Sequence, residues 1–187
     1  MTWTLSDSGT LTATVAGTCT ISNASPAVIT MTNTCSAGDM VVFSTTSALP
    51  TGLTAGTTYY VISAGLSSSQ FEVSATSGGA AINTSSGGSG TQTATIEHIL
   101  ATDTNNATFV EVVQTSNLAL ADLVELRIYT IDLSGGTQQQ AWKGAYQNAQ
   151  INNAKISPPI ASDQSVMCTL KQLAGTGRAF PWKILRI

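Results

Sequence analysis

Residues 122–131 have the sequence DLVELRIYTI, in which apolar and polar side chains alternate along most of the segment. In an extended chain, Val124, Leu126 and Ile128 would face one way and the polar residues between them the other. Alternation with a period of two residues is typical of a β-strand that buries one face. The segment therefore predicts an antiparallel sheet with one face on a core and one polar face.

The same pattern recurs along the chain, and clusters of Gly, Pro and Ser separate the repeats. Such clusters are typical of turns between strands. Residues 137–150 are interpreted as a further strand, because Gly144 would weaken a helix there. The other predicted strands are 10–16, 19–22, 27–33, 40–45, 57–63, 71–75, 93–100 and 108–114.

The C-terminal segment, residues 165–187, predicts a hairpin with a Gly-rich turn at 174–177. Pro181 lies in the second strand of this hairpin. Because proline has no backbone N–H to donate to a sheet, we expect this strand to lie at an edge or to contain a bulge.

The composition favours an all-β fold. Of 187 residues, 42% are hydrophobic and 9% are charged, and Ser and Thr together number 50. This argues against a coiled coil, a helical bundle or a basic nucleic-acid-binding domain. We expect two small antiparallel β domains, sandwich-like or barrel-like, or one sandwich with a β insertion. The predicted divisions are residues 1–15 as an N-terminal arm or first strand, 16–95 as a β module and 96–187 as a C-terminal β-sandwich.

The charges are unevenly distributed along the sequence. Residues 1–126 contain eight acids and no Lys or Arg, whereas residues 127–187 contain seven bases and two acids. Asymmetry of this kind steers head-to-tail association between copies, or reflects a Ser/Thr-rich surface that needs few charges. The bases form no cluster, so direct nucleic-acid binding is not predicted.

The three cysteines have no metal-ligand spacing. Cys19, Cys35 and Cys168 form no C-x-x-C pair, so a zinc site is not predicted. Cys168 is interpreted as a small buried residue, and a bridge between Cys19 and Cys35 is left open. The first ten residues, MTWTLSDSGT, lack the features of a signal peptide, and no apolar stretch is long enough for a membrane span.

The titratable residues form no recognisable catalytic set. His98 is the only histidine and alternates with Ile96 and Leu100, which predicts a core histidine with satisfied hydrogen bonds. Glu111 and Glu125 lie on neighbouring predicted strands, and we interpret both as outward-facing and solvated. The sequence therefore predicts no enzyme, no cofactor and no metal site.

Residues 41–93 contain the phrases ALPTGLTAGTTYYV at 48–61, FEVS at 71–74 and GGAAIN at 78–83. With these phrases the segment resembles a β module that recurs in structural proteins of tailed bacteriophages. The module occurs in head and tail proteins, so the resemblance implies a virion protein, and it brings no catalytic residues. Three later phrases also resemble small phage proteins: LVELRIY at 123–129, KISPP at 155–159 and AGTGRAFPWK at 174–183.

The resemblance implies a non-enzymatic virion structural protein, most specifically a capsid decoration or cement protein that stabilises the phage head. Its expected partners are the major capsid protein or other virion proteins, and further copies of itself in a dimer or trimer, without membrane or nucleic acid. A tail fibre, an adaptor or another tail-associated protein is the alternative. The expected location is the virion, after synthesis in the host cytoplasm.

The two ends of the chain carry the candidate contact residues. Trp and Arg are enriched at protein interfaces, and both occur in the terminal segments Met1–Ser8 and Arg178–Ile187. The candidates for protein–protein contacts are Trp3, Leu5, Arg178, Phe180, Trp182, Lys183 and Arg186.

A carbohydrate-binding module is the second alternative. In that case Trp142, Tyr146 and Trp182 would form a platform on which sugar rings stack. Trp182 also alternates with Phe180 and Ile184, so a place in the core stays open for it.

Overall fold

The computed structural model describes residues 2–131 and 133–187. Within these ranges the chain forms strands and no helix, which confirms the all-β fold, and no helix there could cross a membrane. The strands are β1 (Thr4–Thr12), β2 (Gly17–Ile21), β3 (Ile29–Thr30), β4 (Met40–Thr45), β5 (Thr58–Ser67), β6 (Gln70–Ser74), β7 (Gln92–Asp103), β8 (Ala107–Gln114), β9 (Leu123–Ile131), β10 (Gln139–Gln147), β11 (Ala154–Ile156), β12 (Ile160–Ser162), β13 (Ser165–Ala174) and β14 (Ala179–Arg186).

The chain folds into two units. One, which we call the barrel, is Thr14–His98, and the other, the sandwich, consists of the chain up to Ala13 together with Ile99–Ile187. The barrel segment is thus inserted in the sequence of the sandwich, and it extends slightly beyond the predicted module 16–95. The residues predicted as an arm or first strand contribute β1 to the sandwich, and Met1 lies outside the described residues.

The barrel is a closed ring of six strands in the order β7-β2-β3-β6-β5-β4. It closes because β4 pairs with β5 on one side and with β7 on the other. Val41, for example, is opposite both Tyr59 and Ile96. Closure removes the free edges that an open sheet would expose. The fully buried centre of the barrel consists of Ile29, Val41, Phe43, Phe71, Ala94 and Ile96.

The sandwich consists of two sheets. The first has the order β1-β14-β8-β11, and β12 also pairs with β8. The second has the order β10-β9-β13-β7, to which β7 contributes its last residues, from Ile99. Alternate residues of these strands form one apolar core, as expected for a two-layer fold. Its fully buried members are Phe109, Val113, Val124, Ile128, Cys168, Leu170 and Phe180.

The predicted C-terminal hairpin is wrong. β13 lies in the second sheet and β14 in the first, so the connection between them crosses from one layer to the other. The reason is a side chain from elsewhere in the sequence: the carboxylate of Asp122 accepts hydrogen bonds from Thr176 N at 2.9 Å and from Arg178 Nε at 2.7 Å. These bonds stabilise the connection from one sheet to the other, which the residues of the turn alone do not predict.

The position predicted for Pro181 is also wrong. β14 is an interior strand, between β1 and β8, and the pairing irregularity of this region lies in β1, between Leu5 and Asp7. The pairing of β14 with β8 begins at Trp182, opposite Val113. Pro181 therefore lies just outside this ladder, where a missing N–H disrupts no bond to β8.

Candidate protein-binding surface

The large hydrophobic side chains that are exposed all belong to one of the two units. Six large hydrophobic residues of the described chain are exposed, and all six belong to the sandwich. Large exposed apolar residues that cluster mark interaction sites. The six are Trp3, Leu5, Leu120, Leu133, Ile151 and Ile156.

Three of them border the outer side of the first sheet, where strand register aligns apolar residues in rows. Ile156 on β11 is opposite Val112 on β8, which in turn is opposite Lys183 on β14. Lys183 is opposite Ser8 on β1. These pairs share one face because side chains at paired positions point to the same side of a sheet.

A second row runs parallel to the first. Val110 on β8 is opposite Leu185 on β14, and Leu185 is opposite Leu5 on β1. Val110 and Val112 are only 7% and 9% exposed, whereas Leu5 and Ile156 are 59% and 61% exposed. The valines therefore form a floor between more exposed apolar residues.

The residues that β8, β11 and β14 contribute to the two rows line a groove of about 520 Å³. Trp3, which is 40% exposed, lines it together with Pro159. Among its described lining residues, Lys183 alone carries a charge. We call this surface the apolar face and define it as Trp3, Leu5, Val110, Val112, Ile156, Lys183 and Leu185.

The apolar face unites three of the predicted contact residues. Trp3, Leu5 and Lys183 come together on it, although Lys183 is distant in sequence from the other two. Arg178 and Arg186 are engaged elsewhere: Arg178 pairs with Asp122 at 2.7 Å and Arg186 with Asp103 at 2.8 Å. The four apolar residues that complete the face were not predicted: Val110, Val112, Ile156 and Leu185.

Phe180 and Trp182 point to the opposite side of β14. Phe180 is fully buried in the sandwich core, and Trp182 is half-buried against that core. The indole of Trp182 lies against Gly9, where a Cβ atom would come within 3.1 Å of it. Both residues therefore stabilise the fold.

The predicted sugar platform is packed against the same core. Trp142 and Tyr146 are half-buried and converge over Gly144, where a Cβ would lie 2.8 Å from each side chain. The ammonium of Lys155 lies 4.8 Å from the centre of the Tyr146 ring, on whose face a cation is attracted. One side of each ring is therefore occupied by contacts within the sandwich.

The charge asymmetry of the sequence does not follow the two units. The sandwich sequence contains seven acids and seven bases, while the barrel contains three acids and no Lys or Arg. In the sandwich, Glu125 lies within 3.5 Å of the cationic groups of Arg127, Lys143 and Lys171. Ion pairs inside the sandwich thus use most of the bases that the sequence places in its last third.

These ion pairs change the titration of the carboxylates. Burial alone would raise the pKa of Asp103, but hydrogen bonds from Ser6, Asn105 and Arg186 lower it to about 2. Burial likewise opposes a lowered pKa at Asp122 and Glu125, where hydrogen bonds and neighbouring cations prevail. The three side chains are therefore carboxylates at neutral pH.

His98 is a structural residue of the barrel, as its alternation predicts. It is fully buried, its Nδ1 lies 2.7 Å from Asp39 Oδ2, and its Nε2 accepts a hydrogen bond from Thr14 N at 2.9 Å. An accepting Nε2 requires the proton on Nδ1, which donates to the carboxylate. Neither ring nitrogen is left to serve as a base in this arrangement.

The thiols are unsuited to nucleophilic chemistry. All three cysteines are free, so Cys19 and Cys35 are not bridged. Burial, followed by the charge of Asp39, raises the pKa of Cys35 to about 12, and burial raises that of Cys19 to about 11. In the described part of the chain, no group of three or more His, Cys, Asp and Glu side chains could hold a metal ion.

Glu111 is the unexpected feature of the sandwich. The prediction that it faces outward is wrong: it is 1% exposed and lies between Phe109 and Val113 on the core side of β8. Neither carboxyl oxygen has a hydrogen-bond partner, and burial raises its pKa well above the usual value. Glu125, the other member of the predicted pair, belongs to the other sheet, and the prediction that it is solvated is also wrong: it is 8% exposed, because its cationic neighbours cover it.

The chain was compared with protein families, curated proteins and solved structures. No family model, curated protein or solved structure matches the chain.

Proposed function

We propose that this protein is a non-enzymatic structural protein of a tailed-phage virion, a capsid decoration protein that attaches through the apolar face of its sandwich. The observation that carries the proposal is an apolar groove bordered by the exposed side chains of Trp3 and Ile156, with exposed Leu5 beside it, opposite Leu185 on the neighbouring strand. The resemblance of residues 41–93 to a phage structural module supports the virion setting.

The apolar face has the composition of a protein interface. Its centre is apolar and nearly free of charge, and its border includes a tryptophan, the residue type most enriched among energetic hot spots. Leu5 and Ile156 each leave more than half of their surface in water, so a partner that covers them gains hydrophobic free energy. The major capsid protein is the partner we propose.

The barrel lacks the features of an attachment surface. It has no exposed large hydrophobic residue among those described, no Lys or Arg, and no free sheet edge. A closed, polar barrel resists edge-to-edge pairing with neighbours, which matters where many copies crowd on one particle. We therefore propose that the sandwich attaches and that the barrel is displayed.

Attachment is tested with particles that lack the protein. Purified wild type, Leu5→Asp and Ile156→Asp are mixed with such particles and sedimented, and Leu133→Asp is the control because Leu133 is 75% exposed outside the apolar face. We expect wild type and the control to co-sediment, and both face variants to bind at least tenfold more weakly. Equal binding by all four proteins would exclude the apolar face as the attachment surface.

The position on the particle is tested separately. A tag on the chain, imaged by electron microscopy on intact particles, is expected to label the head. Label confined to the tail would replace decoration by the fibre or adaptor alternative. Sedimentation of the free protein determines whether it forms the expected dimer or trimer.

A further inference from the structure

One strand connects the apolar face with the buried acid. β8 contributes Val110 and Val112 to the floor of the face, and between them it directs Glu111 into the sandwich core. Both backbone groups of Glu111 are satisfied by Ser157: Glu111 N donates to Ser157 Oγ at 3.0 Å, and Ser157 N donates to the carbonyl at 2.9 Å. The carboxyl group alone lacks a partner.

The surroundings of this carboxyl provide no counter-charge. Glu111 is opposite Ile184 on β14. The ammonium nearest in register, that of Lys155, lies over the ring of Tyr146, and the guanidinium of Arg186 is paired with Asp103. The elements packed around Glu111 direct four titratable groups to the same side as its carboxyl, while Lys143, Lys171 and Lys183 on these strands point to the other side; the four are Tyr146 on β10, Lys155 on β11, Cys168 on β13 and Arg186 on β14.

A carboxyl group in such a place is stable only as the neutral acid. An isolated carboxylate in an apolar interior costs far more free energy than a neutral carboxyl, so the group keeps its proton or the interior admits water. Burial raises the pKa of Tyr146 and of Cys168, and the charge of an ionised Glu111 would raise each further. Loss of the proton therefore requires β8 to move or its surroundings to open.

We propose that Glu111 makes the apolar face dependent on protonation: the face is complete while this carboxyl is protonated, and β8 loosens and releases the partner when the proton is lost. The loosening of β8, which we call the switch, follows from the burial of Glu111 between Phe109 and Val113. The release of a partner rests on the proposed attachment function.

The sign of the effect follows from linkage. The pKa of Glu111 is higher in the folded sandwich than the value of about 4.3 in an unfolded chain, so between the two values the folded state holds one more proton. Stability is full below the unfolded value and falls as pH rises towards the folded pKa. One proton corresponds to a change of up to about tenfold per pH unit in the opening equilibrium.

Hydrogen exchange tests the switch without any partner. Amide protection of residues 107–114, corrected for the intrinsic exchange rate, is measured as a function of pH in wild type, Glu111→Gln and Glu72→Gln. Glutamine imitates the neutral acid, and Glu72, in the barrel, controls for the same chemical change elsewhere. We expect protection to fall by up to about tenfold per pH unit in wild type and Glu72→Gln, and to stay constant in Glu111→Gln. The same slope in all three proteins would overturn the proposal.

Carbon-13 NMR of the wild-type side-chain carboxyls provides a measurement that does not depend on whether Glu111→Gln folds. An ordinary titration of Glu111 near pH 4 would overturn the switch.

Particle binding across the same pH range then separates the two proposals. Binding that is absent at every pH, with the expected exchange result, would overturn attachment and support the switch. Particle binding that does not change with pH, together with the expected exchange result, would overturn the link between the switch and the apolar face.

Discussion

His98→Phe tests the hydrogen-bond bridge that connects the first and last residues of the barrel segment. Thr14 begins this segment and His98 ends it. The imidazole connects the N–H of Thr14 with the carboxylate of Asp39, and all three residues are at least 94% buried. A phenylalanine ring of similar size fills the space but offers neither a donor nor an acceptor.

The expected cost is large for a small domain. The substitution leaves Thr14 N without an acceptor and removes one donor from Asp39, which keeps its bond from Ser36 N at 2.9 Å. A buried polar group that loses its partner costs about 1–3 kcal/mol, and more when it is charged. We therefore expect the barrel to lose about 3–5 kcal/mol, a large part of the 5–15 kcal/mol typical of a folded domain.

The distribution of chromophores and thiols allows each unit to be followed by itself. Trp3, Trp142 and Trp182 all belong to the sandwich, so tryptophan fluorescence does not report on the barrel. The thiol of Cys19 is buried in the barrel, and its alkylation, located by mass spectrometry, reports unfolding there. In urea, His98→Phe is expected to expose Cys19 at a much lower concentration than wild type.

Asp39→Asn provides the graded control. An asparagine oxygen can accept the same hydrogen bonds from Ser36 N and His98 Nδ1, so these two bonds are kept while the charge is lost and the second oxygen becomes an NH2 group, and a cost of about 1 kcal/mol is expected. If both variants expose Cys19 at the wild-type urea concentration, the bridge contributes nothing to stability and the reasoning fails.

Three further predictions concern the sandwich. Because the pKa of Asp103 is lowered to about 2, its stabilising contribution is present above pH 4 and is lost between about pH 4 and pH 2; tryptophan fluorescence should show this loss, and Asp103→Asn should reduce it. Gly144→Ala places a methyl group 2.8 Å from the rings of Trp142 and Tyr146, so we expect a loss of about 1–3 kcal/mol in urea unfolding. Trypsin has no site before Arg127, which is partly buried and ion-paired within the interior strand β9, so limited digestion of the folded chain should leave Arg127 uncleaved and the whole barrel sequence intact; early release of a fragment that ends at Arg127 would contradict this.

The strands were predictable because their signal is local. The segment MVVFST at 40–45 coincides with β4, and the alternation of residues 122–131 gives the inward face of β9 correctly. The placement of β13 and β14 in different sheets was not predictable. It depends on Asp122, which is distant in sequence and binds the segment that connects the two strands. The burial of Glu111 was not predicted, because a single glutamate in a strand is normally solvated. Only the partner strands show that its side of β8 faces the core.

The site was predictable in part for the same reason. Trp3, Leu5 and Lys183 stand out by residue type and by their place near the ends of the chain, whereas the floor of the face comes from β8, which the sequence shows only as TFVEVVQ. That segment does carry a signal. Phe109 and Val113 supply one face of the strand, and Val110 and Val112 supply the other.

A strand that is apolar on both faces is expected where both faces are covered, as in the centre of an α/β sheet. In the first sheet of the sandwich, β8 has only the core on one side, and the groove lies on the other. The two valines are nevertheless almost inaccessible because Trp3, Leu185 and Ile156 surround them, and this arrangement leaves Trp3 and Ile156 exposed and Leu185 partly exposed. Covering the groove would bury the ring of apolar residues that the isolated chain leaves in water. The apolar residues on both faces of β8 therefore support the proposed attachment through this face.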